Sequence, residues 1–166
     1  MKDVKKRNTK IALALCLAVL GTAIQARAEC QHIRGTDVET IVPSPNDPFG
    51  RTLGIVNGVL NGASTAVVTS LSPNGLNATS SDVFVTNRGD MLTATGVVTL
   101  TPVPGSSNEF TENAILTITG GSGKYNGASG TITLVGRAVF DNFGGGTFDV
   151  TYQGSVCGPN LKADGN

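Results

Sequence analysis

The residue with the clearest potential for chemistry is Glu112, an acidic side chain within an alternating apolar segment. It shares its parity with Ala114, Leu116 and Ile118. In an extended strand, residues two apart point to the same face, so Glu112 is expected to point toward an apolar interior. Burial disfavours the charged form of a carboxyl group and raises its pKa, which would suit Glu112 to act as a general acid or base.

Three other residues are candidate polar groups of an interior pocket. Arg137 shares a face with Thr133, Tyr152 shares one with Val150, and Arg88 lies at the end of another predicted strand. Charged side chains more often lie on the solvent face of a strand, and that alternative stays open for each of them and for Glu112. The same two interpretations apply to the other ionisable residues in or beside predicted strands, Asp82, Asp90 and Asp149.

The remaining ionisable residues match no recognised catalytic or metal-binding pattern. His32 is the single histidine, and it lies beside Cys30 rather than near a marked serine or cysteine nucleophile. The carboxylates are scattered singly along the sequence, whereas a metal site needs several ligands that converge. We therefore expect no metal and no cofactor, and the sequence leaves open whether the protein is an enzyme.

The N-terminus has the three parts of a secretory signal peptide. Five basic residues lie within residues 1–10, an uncharged apolar run covers residues 11–24, and the small residues Ala26 and Ala28 follow. This order predicts cleavage before Glu29.

A membrane anchor is the alternative interpretation of this N-terminus. The uncharged run covers only 14 residues, whereas a spanning helix needs roughly 20. We therefore expect a cleaved signal peptide at residues 1–28 and one domain at residues 29–166. The protein should be secreted or periplasmic, with no membrane attachment after cleavage.

Loss of the signal peptide changes the charge of the chain. The full sequence carries 12 basic and 12 acidic side chains, but residues 29–166 retain six basic and 11 acidic ones, a net charge of −5. Nucleic acids require clustered positive charge on their protein partner. The mature domain is therefore not expected to bind DNA or RNA, and anionic membrane surfaces are disfavoured for the same reason.

Two cysteines, Cys30 and Cys157, remain after cleavage. In an exported protein such a pair predicts a disulfide. Closing a loop of that length is worth about 4 to 5 kcal/mol in the chain-entropy model. The alternative is two unpaired thiols. Neither cysteine has the CxxC spacing of a redox or zinc site.

The mature sequence predicts β-structure throughout. Short segments rich in Val, Ile and Thr alternate with a period of two, and no window has the helical spacing of apolar residues. Eight strands are predicted, at residues 33–42, 52–60, 63–71, 81–88, 91–101, 109–119, 130–140 and 147–156. This pattern favours an all-β fold, an eight-stranded antiparallel barrel, with a β-sandwich as the alternative. Apolar residues on both faces of several strands, such as Val97 and Val139, suggest contacts within a homo-oligomer.

Glycine is concentrated in residues 120–130, whose sequence is GGSGKYNGASG. A phosphate-binding loop would be followed by a helix, but a strand is predicted here. Together with residues 118–119, this stretch resembles the dirigent and allene oxide cyclase barrel family, in which a strand ends in a GGTGKF-like or GGTGRY-like turn. The likeness extends more loosely from residue 86 to residue 154 and is closer to bacterial secreted members. The matching turn residues, with an implied role in folding, are Gly120, Gly121, Gly123, Tyr125 and Gly130.

The resemblance implies an eight-stranded barrel with an interior pocket and no cofactor, often trimeric in plant members. Activities known in the family are cyclisation of an unstable fatty-acid epoxide and stereocontrol of phenoxy-radical coupling, and related bacterial barrels cyclise polyketides. The first half of this sequence departs from the plant pattern, so no catalytic position carries over.

The expected function is that of an exported barrel that binds a small apolar molecule in its interior. Two alternatives stay open. The first is a cofactor-free cyclase or isomerase, including dirigent-like stereocontrol, which would need an interior pocket with at least two opposed polar groups. The second is a structural or surface interaction protein, whose barrel would be filled by side chains.

Overall fold

Alternating apolar and polar residues form strands over most of the described chain. The computed structural model describes residues 28–42, 46–47, 49–142 and 144–162. The predicted signal peptide lies outside these residues, apart from Ala28. In the part of the chain that is described, no helix is long and apolar enough to cross a membrane.

Eight strands are present, one for each segment predicted from the sequence. They are β1 (Glu29–Val42), β2 (Arg51–Gly58), β3 (Gly62–Leu71), β4 (Asn77–Thr86), β5 (Met91–Pro102), β6 (Glu109–Ser122), β7 (Ser129–Phe140) and β8 (Gly146–Gly158). A 3-10 helix at Gly123–Tyr125 is the one helix among the described residues.

Some strand ends differ from the predicted ones, and glycine conformation explains two of them. β2 stops at Gly58, whose φ of 96° lies in the left-handed region that favours glycine. β4 ends at Thr86, because the next residues turn at Gly89 (φ 82°), whose amide donates a 2.8 Å hydrogen bond to the Thr86 carbonyl. β4 also begins earlier than predicted, at Asn77.

Each strand pairs antiparallel with its neighbours, and β1 pairs with β8 to close the barrel. Closure removes the free sheet edges that would otherwise invite aggregation. The predicted eight-stranded barrel is confirmed, and the β-sandwich alternative is wrong. Cys30 and Cys157 lie directly opposite each other in the β1–β8 ladder and form the predicted disulfide.

The glycine-rich stretch after β6 forms a tight turn against the β4–β5 connection. Gly123 has a φ of 61°, and a Cβ atom at this position would collide with Asp90 Oδ1. That carboxylate oxygen accepts a 3.0 Å hydrogen bond from the Lys124 amide, and the next residue, Tyr125, is fully buried. These contacts are consistent with the folding role that the family resemblance implies for the turn.

Side chains fill the barrel interior at the end that carries the disulfide, which we call the disulfide end. The Tyr152 hydroxyl ties this end together, because it accepts a hydrogen bond from the Leu60 amide at 3.0 Å and donates one to the Asn57 carbonyl at 2.9 Å. The almost fully buried apolar and aromatic side chains in this packing are Ile33, Val56, Leu60, Leu92, Tyr125, Tyr152 and Val156.

The outer face of the barrel carries several exposed aliphatic side chains. Ile55 is 67% exposed, Val97 61% and Ile115 58%, and Val97 and Ile115 are directly opposite each other on β5 and β6. Both faces of these strands are therefore partly apolar, as the sequence indicates. The homo-oligomer inferred from that pattern stays a prediction.

Candidate functional site

A cavity of about 190 Å³ occupies the half of the barrel away from the disulfide. Phe49, Phe140 and Phe148 line it near the β1–β2 and β7–β8 connections, and we call this the phenylalanine end. Phe140 and Phe148 pack edge to face, with ring centroids 5.8 Å apart. Aliphatic side chains such as Val98 and Leu116 line the walls further in. The cavity is therefore mainly apolar.

Four carboxyl groups face this apolar cavity, from Asp37 and Glu39 on β1, Asp82 on β4 and Glu112 on β6. Asp37 is 0% exposed, Glu112 6% and Asp82 8%, while Glu39 is half-buried. Carboxylates are almost never buried to this extent unless they are paired. Their convergence is the feature of the interior that calls for a chemical explanation.

Two serine hydroxyls satisfy part of this group of carboxyls. Ser64 Oγ donates a 2.8 Å hydrogen bond to Asp37 Oδ1, and Ser80 Oγ donates one of 2.8 Å to Asp82 Oδ2. The carboxyl group of Glu39, two residues along β1, is near enough to Asp37 to contribute to its raised pKa. Asp37 Oδ2 and Glu112 Oε2 are buried without any hydrogen-bond partner.

Glycines in the neighbouring strands make room for these polar groups. A Cβ atom on Gly54 would collide with Ser64 Oγ and lie 2.8 Å from Asp37 Oδ1. A Cβ atom on Gly96 would collide with Ser80 Oγ. Real Cβ atoms essentially never approach other atoms this closely. The polar floor of the cavity therefore depends on residues that have no side chain.

The pKa values of three of these carboxyl groups, Asp37, Asp82 and Glu112, are raised. Burial, and after it the charge of Glu39, raise the pKa of Asp37 to about 7, although the hydrogen bond from Ser64 lowers it. Burial also raises the pKa of Asp82 to about 7. The pKa of Glu112 rises to about 7, because of burial and then repulsion from Glu39, Asp37 and Asp82.

Groups with pKa values near 7 can give and take protons at neutral pH. In the protonated state each carboxyl group donates one hydrogen bond, and in the ionised state it only accepts them. The cavity can therefore bind polar groups of either kind, and one carboxyl could supply a proton while another receives one.

The structure places the residues predicted as site candidates in different parts of the molecule. Glu112 points inward, in the alternation expected from Ala114 and Leu116. Arg137 lies on the outer face, where its guanidinium pairs with the Glu109 carboxylate, because residue parity on β7 turns it away from the interior. It therefore does not line the cavity.

Arg88 and Tyr152 also lie outside this cavity. Arg88 is exposed in the turn between β4 and β5, which begins before the predicted strand would have ended. Tyr152 does point inward, but its ring belongs to the packed disulfide end, and both partners of its hydroxyl are backbone groups. It supports the floor of the barrel instead of presenting a group to a ligand.

Sequence reasoning missed Asp37 and Glu39, and for Asp82 it left both the pocket and the solvent-facing interpretation open. A signal for all three was present in their parity. Asp37 and Glu39 alternate in phase with Ile33 and Ile41, which are buried and half-buried, and Asp82 is in phase with the buried Phe84. An acidic residue in phase with the apolar face of a strand therefore pointed inward in each case.

Metal binding finds no support in the residues that the structure describes. Within those residues, no group of three or more His, Cys, Asp or Glu side chains is arranged to hold a metal ion. The expectation that the protein uses no cofactor stays a prediction.

The chain has a distant likeness to a solved structure. No model of a known protein family matches this sequence, and no curated protein matches it. A solved structure that resembles it is that of the pterocarpan synthase dirigent protein GePTS1, with 12% sequence identity and a TM-score of 0.31, over 84% of this chain and 90% of that chain. The resemblance to the dirigent and allene oxide cyclase family stays a prediction. What the cavity can do follows from its own residues.

Proposed function

We propose that this protein binds a small, mainly apolar molecule inside its barrel. The observation that supports this is the cavity of about 190 Å³ with apolar walls and a group of carboxyls on its floor. An apolar cavity of roughly 150 Å³ is large enough to bind benzene. The cavity therefore suits a single ring with a short substituent, or an aliphatic body of similar size.

A barrel filled by side chains would favour the alternative of a structural or surface interaction protein, which the sequence left open. The interior is filled only at the disulfide end, and the other half contains the cavity. A ligand-binding role accounts for this difference between the two halves, whereas a purely structural role does not require it.

The experiment that tests this proposal is binding of toluene, a neutral probe, followed by NMR of the labelled protein. Resonances of cavity residues such as Val98 and Leu116 should shift and saturate. Ala78→Leu would add three carbon atoms to the cavity wall and should weaken binding at least tenfold. Ser81→Leu, on the exposed face of the same strand, is the matched control and should bind as the parent does. Shifts spread over the outer face, or binding that Ala78→Leu leaves intact, would contradict the proposal.

A second candidate is a cofactor-free cyclase or isomerase. The specific observation in its favour is the pair of carboxyl oxygens without partners, on Asp37 and Glu112, in groups whose pKa values are both raised to about 7. One protonated and one ionised carboxyl could act as general acid and general base on a molecule held between them. NMR of a bound ligand over time distinguishes the candidates, because an enzyme changes the covalent structure of its ligand and a binding protein does not.

The proposal includes a location outside the cytoplasm, in the periplasm or beyond the cell. The Cys30–Cys157 disulfide is typical of proteins that fold in an oxidising compartment. This agrees with export, to the periplasm or beyond the cell, by the predicted signal peptide. Mass spectrometry of the protein purified from its own host would give the mature N-terminus, which we expect at Glu29.

A further inference from the structure

We infer that the molecule bound in the cavity is an organic cation, with a small apolar body and a protonated amine that hydrogen-bonds Asp37 and Glu112. This inference rests on the proposed function and adds the chemical class of the ligand. The reasons are the unpartnered oxygens at the floor of the cavity, the sign of the charge around it, and the apolar walls.

The first reason is that two buried acceptors lack donors. Asp37 and Glu112 are 0% and 6% exposed, and each has one carboxyl oxygen without a hydrogen-bond partner. A buried polar atom left unsatisfied is destabilising, and more so if it is charged. A protonated amine carries up to three N–H donors and no acceptor. It therefore supplies what both carboxylates lack.

The second reason is the balance of charge in the cavity lining. Among the described lining residues, four are acidic, from β1, β4 and β6, and the one basic residue is Arg51 on β2. Arg51 is 41% exposed, and its Nε is 2.8 Å from Asp47 Oδ2, so its charge is already paired. The described lining residues of β3, β5, β7 and β8 carry no ionisable side chain. Low-dielectric walls focus the negative potential of the acids, which attracts cations and repels anions.

The third reason is the match between the rest of the cavity and an apolar body. The lining above the carboxyls consists mainly of aliphatic and aromatic side chains, including Leu100, Phe140 and Phe148. Burial of a hydrocarbon body against them is favourable. A strongly hydrated metal ion would gain nothing from these walls.

The pKa values indicate how binding should depend on pH. Burial raises the pKa values of Asp37 and Glu112, and repulsion from neighbouring carboxylates raises them as well. A bound cation offsets that repulsion, favours the ionised carboxyls and so releases protons to solvent. Affinity for a cation should therefore rise as the pH passes upward through about 7. A neutral alcohol, which can bind the protonated acids, should not follow this trend.

The test is isothermal titration calorimetry with two probes of nearly equal shape. 2-Phenylethylamine is a cation at pH 8, whereas 2-phenylethanol is neutral. At pH 8 we expect the amine to bind at least tenfold more tightly than the alcohol. From pH 8 to pH 5.5 its affinity should fall at least tenfold, because the carboxyls become protonated. Near pH 7, titrations in two buffers of different ionisation enthalpy should reveal net proton release.

Variants assign the effect to the two carboxyls. Glu112→Gln and Asp37→Asn should each weaken binding of the amine at least tenfold at pH 8. Each should leave the affinity for the alcohol within about threefold of that of the parent protein. The control is Asp149→Asn, which replaces an exposed aspartate on the outer face of β8. It should change the affinity for neither probe. Circular dichroism confirms that each variant is folded, and Glu112→Gln alone suffices if Asp37→Asn does not fold.

The outcomes separate this inference from the proposed function. If the alcohol binds at pH 8 as tightly as the amine, or if the affinity of the amine does not depend on pH, the ligand class is wrong and the proposed binding role stands. If toluene, the alcohol and the amine all fail to bind, both the inference and the proposed function are overturned.

Discussion

Ser64 on β3 donates a 2.8 Å hydrogen bond to Asp37 on β1, although β2 runs between the two strands. The bond passes over Gly54 of β2, which pairs directly with Ser64 on one side and with Glu39 on the other. Any side chain at residue 54 would stand in its path. A glycine in one strand thus permits a polar contact between its two neighbours.

Replacement of this glycine should damage both the fold and the site. In Gly54→Ala, the new Cβ atom collides with Ser64 Oγ and lies 2.8 Å from Asp37 Oδ1. We expect a loss of about 1 to 3 kcal/mol in the free energy of unfolding, together with weaker ligand binding. Urea denaturation measures the first effect. Gly158→Ala is the control, because its Cβ atom would meet its nearest neighbour at an ordinary 3.5 Å. Equal stability of the two variants would contradict this account.

The buried carboxyls should make the protein less stable at high pH. Burial raises the pKa of Glu112 in the folded protein to about 7, from 4.5. The folded state therefore binds more protons than the unfolded state between these values, and stability falls as the pH rises through them. The fall should be completed just above pH 7, because the group is then ionised in both states. The stability that Glu112 contributes is fully present only below pH 4.5.

Glu112→Gln removes this titration and measures its size. A shift from 4.5 to about 7 corresponds to about 3 kcal/mol, at roughly 1.4 kcal/mol per pH unit. The free energy of unfolding of the variant, taken relative to that of the parent protein, should thus be about 3 kcal/mol higher at pH 8 than at pH 4. Urea unfolding at both pH values gives the difference. If the stability difference between variant and parent is the same at pH 4 and pH 8, Glu112 is not buried as the structure has it.

The two buried tyrosines should respond differently to loss of their hydroxyl groups. Tyr152→Phe leaves the Leu60 amide and the Asn57 carbonyl without the partner they have in the barrel. This should cost about 1 to 3 kcal/mol and speed hydrogen exchange at the Leu60 amide. Tyr125→Phe is the matched control, because the Tyr125 hydroxyl is buried without a hydrogen-bond partner. Its loss should be neutral or slightly stabilising, and a larger cost for Tyr125→Phe than for Tyr152→Phe would refute the assignment.

The disulfide should stabilise the barrel without shaping the cavity. It links residues separated by 127 positions, and a loop of that length is worth about 4 to 5 kcal/mol in the chain-entropy model. The double variant Cys30→Ala/Cys157→Ala should lose about that much stability in urea. Toluene binding, measured well below the unfolding midpoint, should remain within about twofold, since the bond lies at the opposite end from the cavity. A change of more than tenfold in toluene affinity would show that closure at the disulfide end controls the cavity.

Much of the fold was predictable from local pattern. The alternation of apolar residues with Thr and charged residues predicted eight strands, and on β6 it predicted the inward direction of Glu112. The turn at residues 120–130 predicted the connection between β6 and β7, and two cysteines in an exported chain predicted their pairing. Each of these inferences needs only neighbours in sequence or the chemistry of one residue type.

The composition of the site was less predictable. Parity alone placed Glu112 inside, and the same argument applied to Asp37 would have placed it there as well. Arg137 and Arg88 were weighed as pocket residues because of their charge, although Arg137 shares the parity of the outer residues Thr131 and Val135. Parity was a better guide to the interior than residue type.

The sequence by itself determined which face of a strand each residue occupies, because the strand repeat of two residues is a property of the local backbone. Only the tertiary structure decided that Asp37, Asp82 and Glu112 share one cavity. They lie on β1, β4 and β6, and closure of the barrel by the β1–β8 ladder turns all inner faces toward one space. Their raised pKa values follow in large part from that closure, since burial, their largest cause, arises only once distant strands have met.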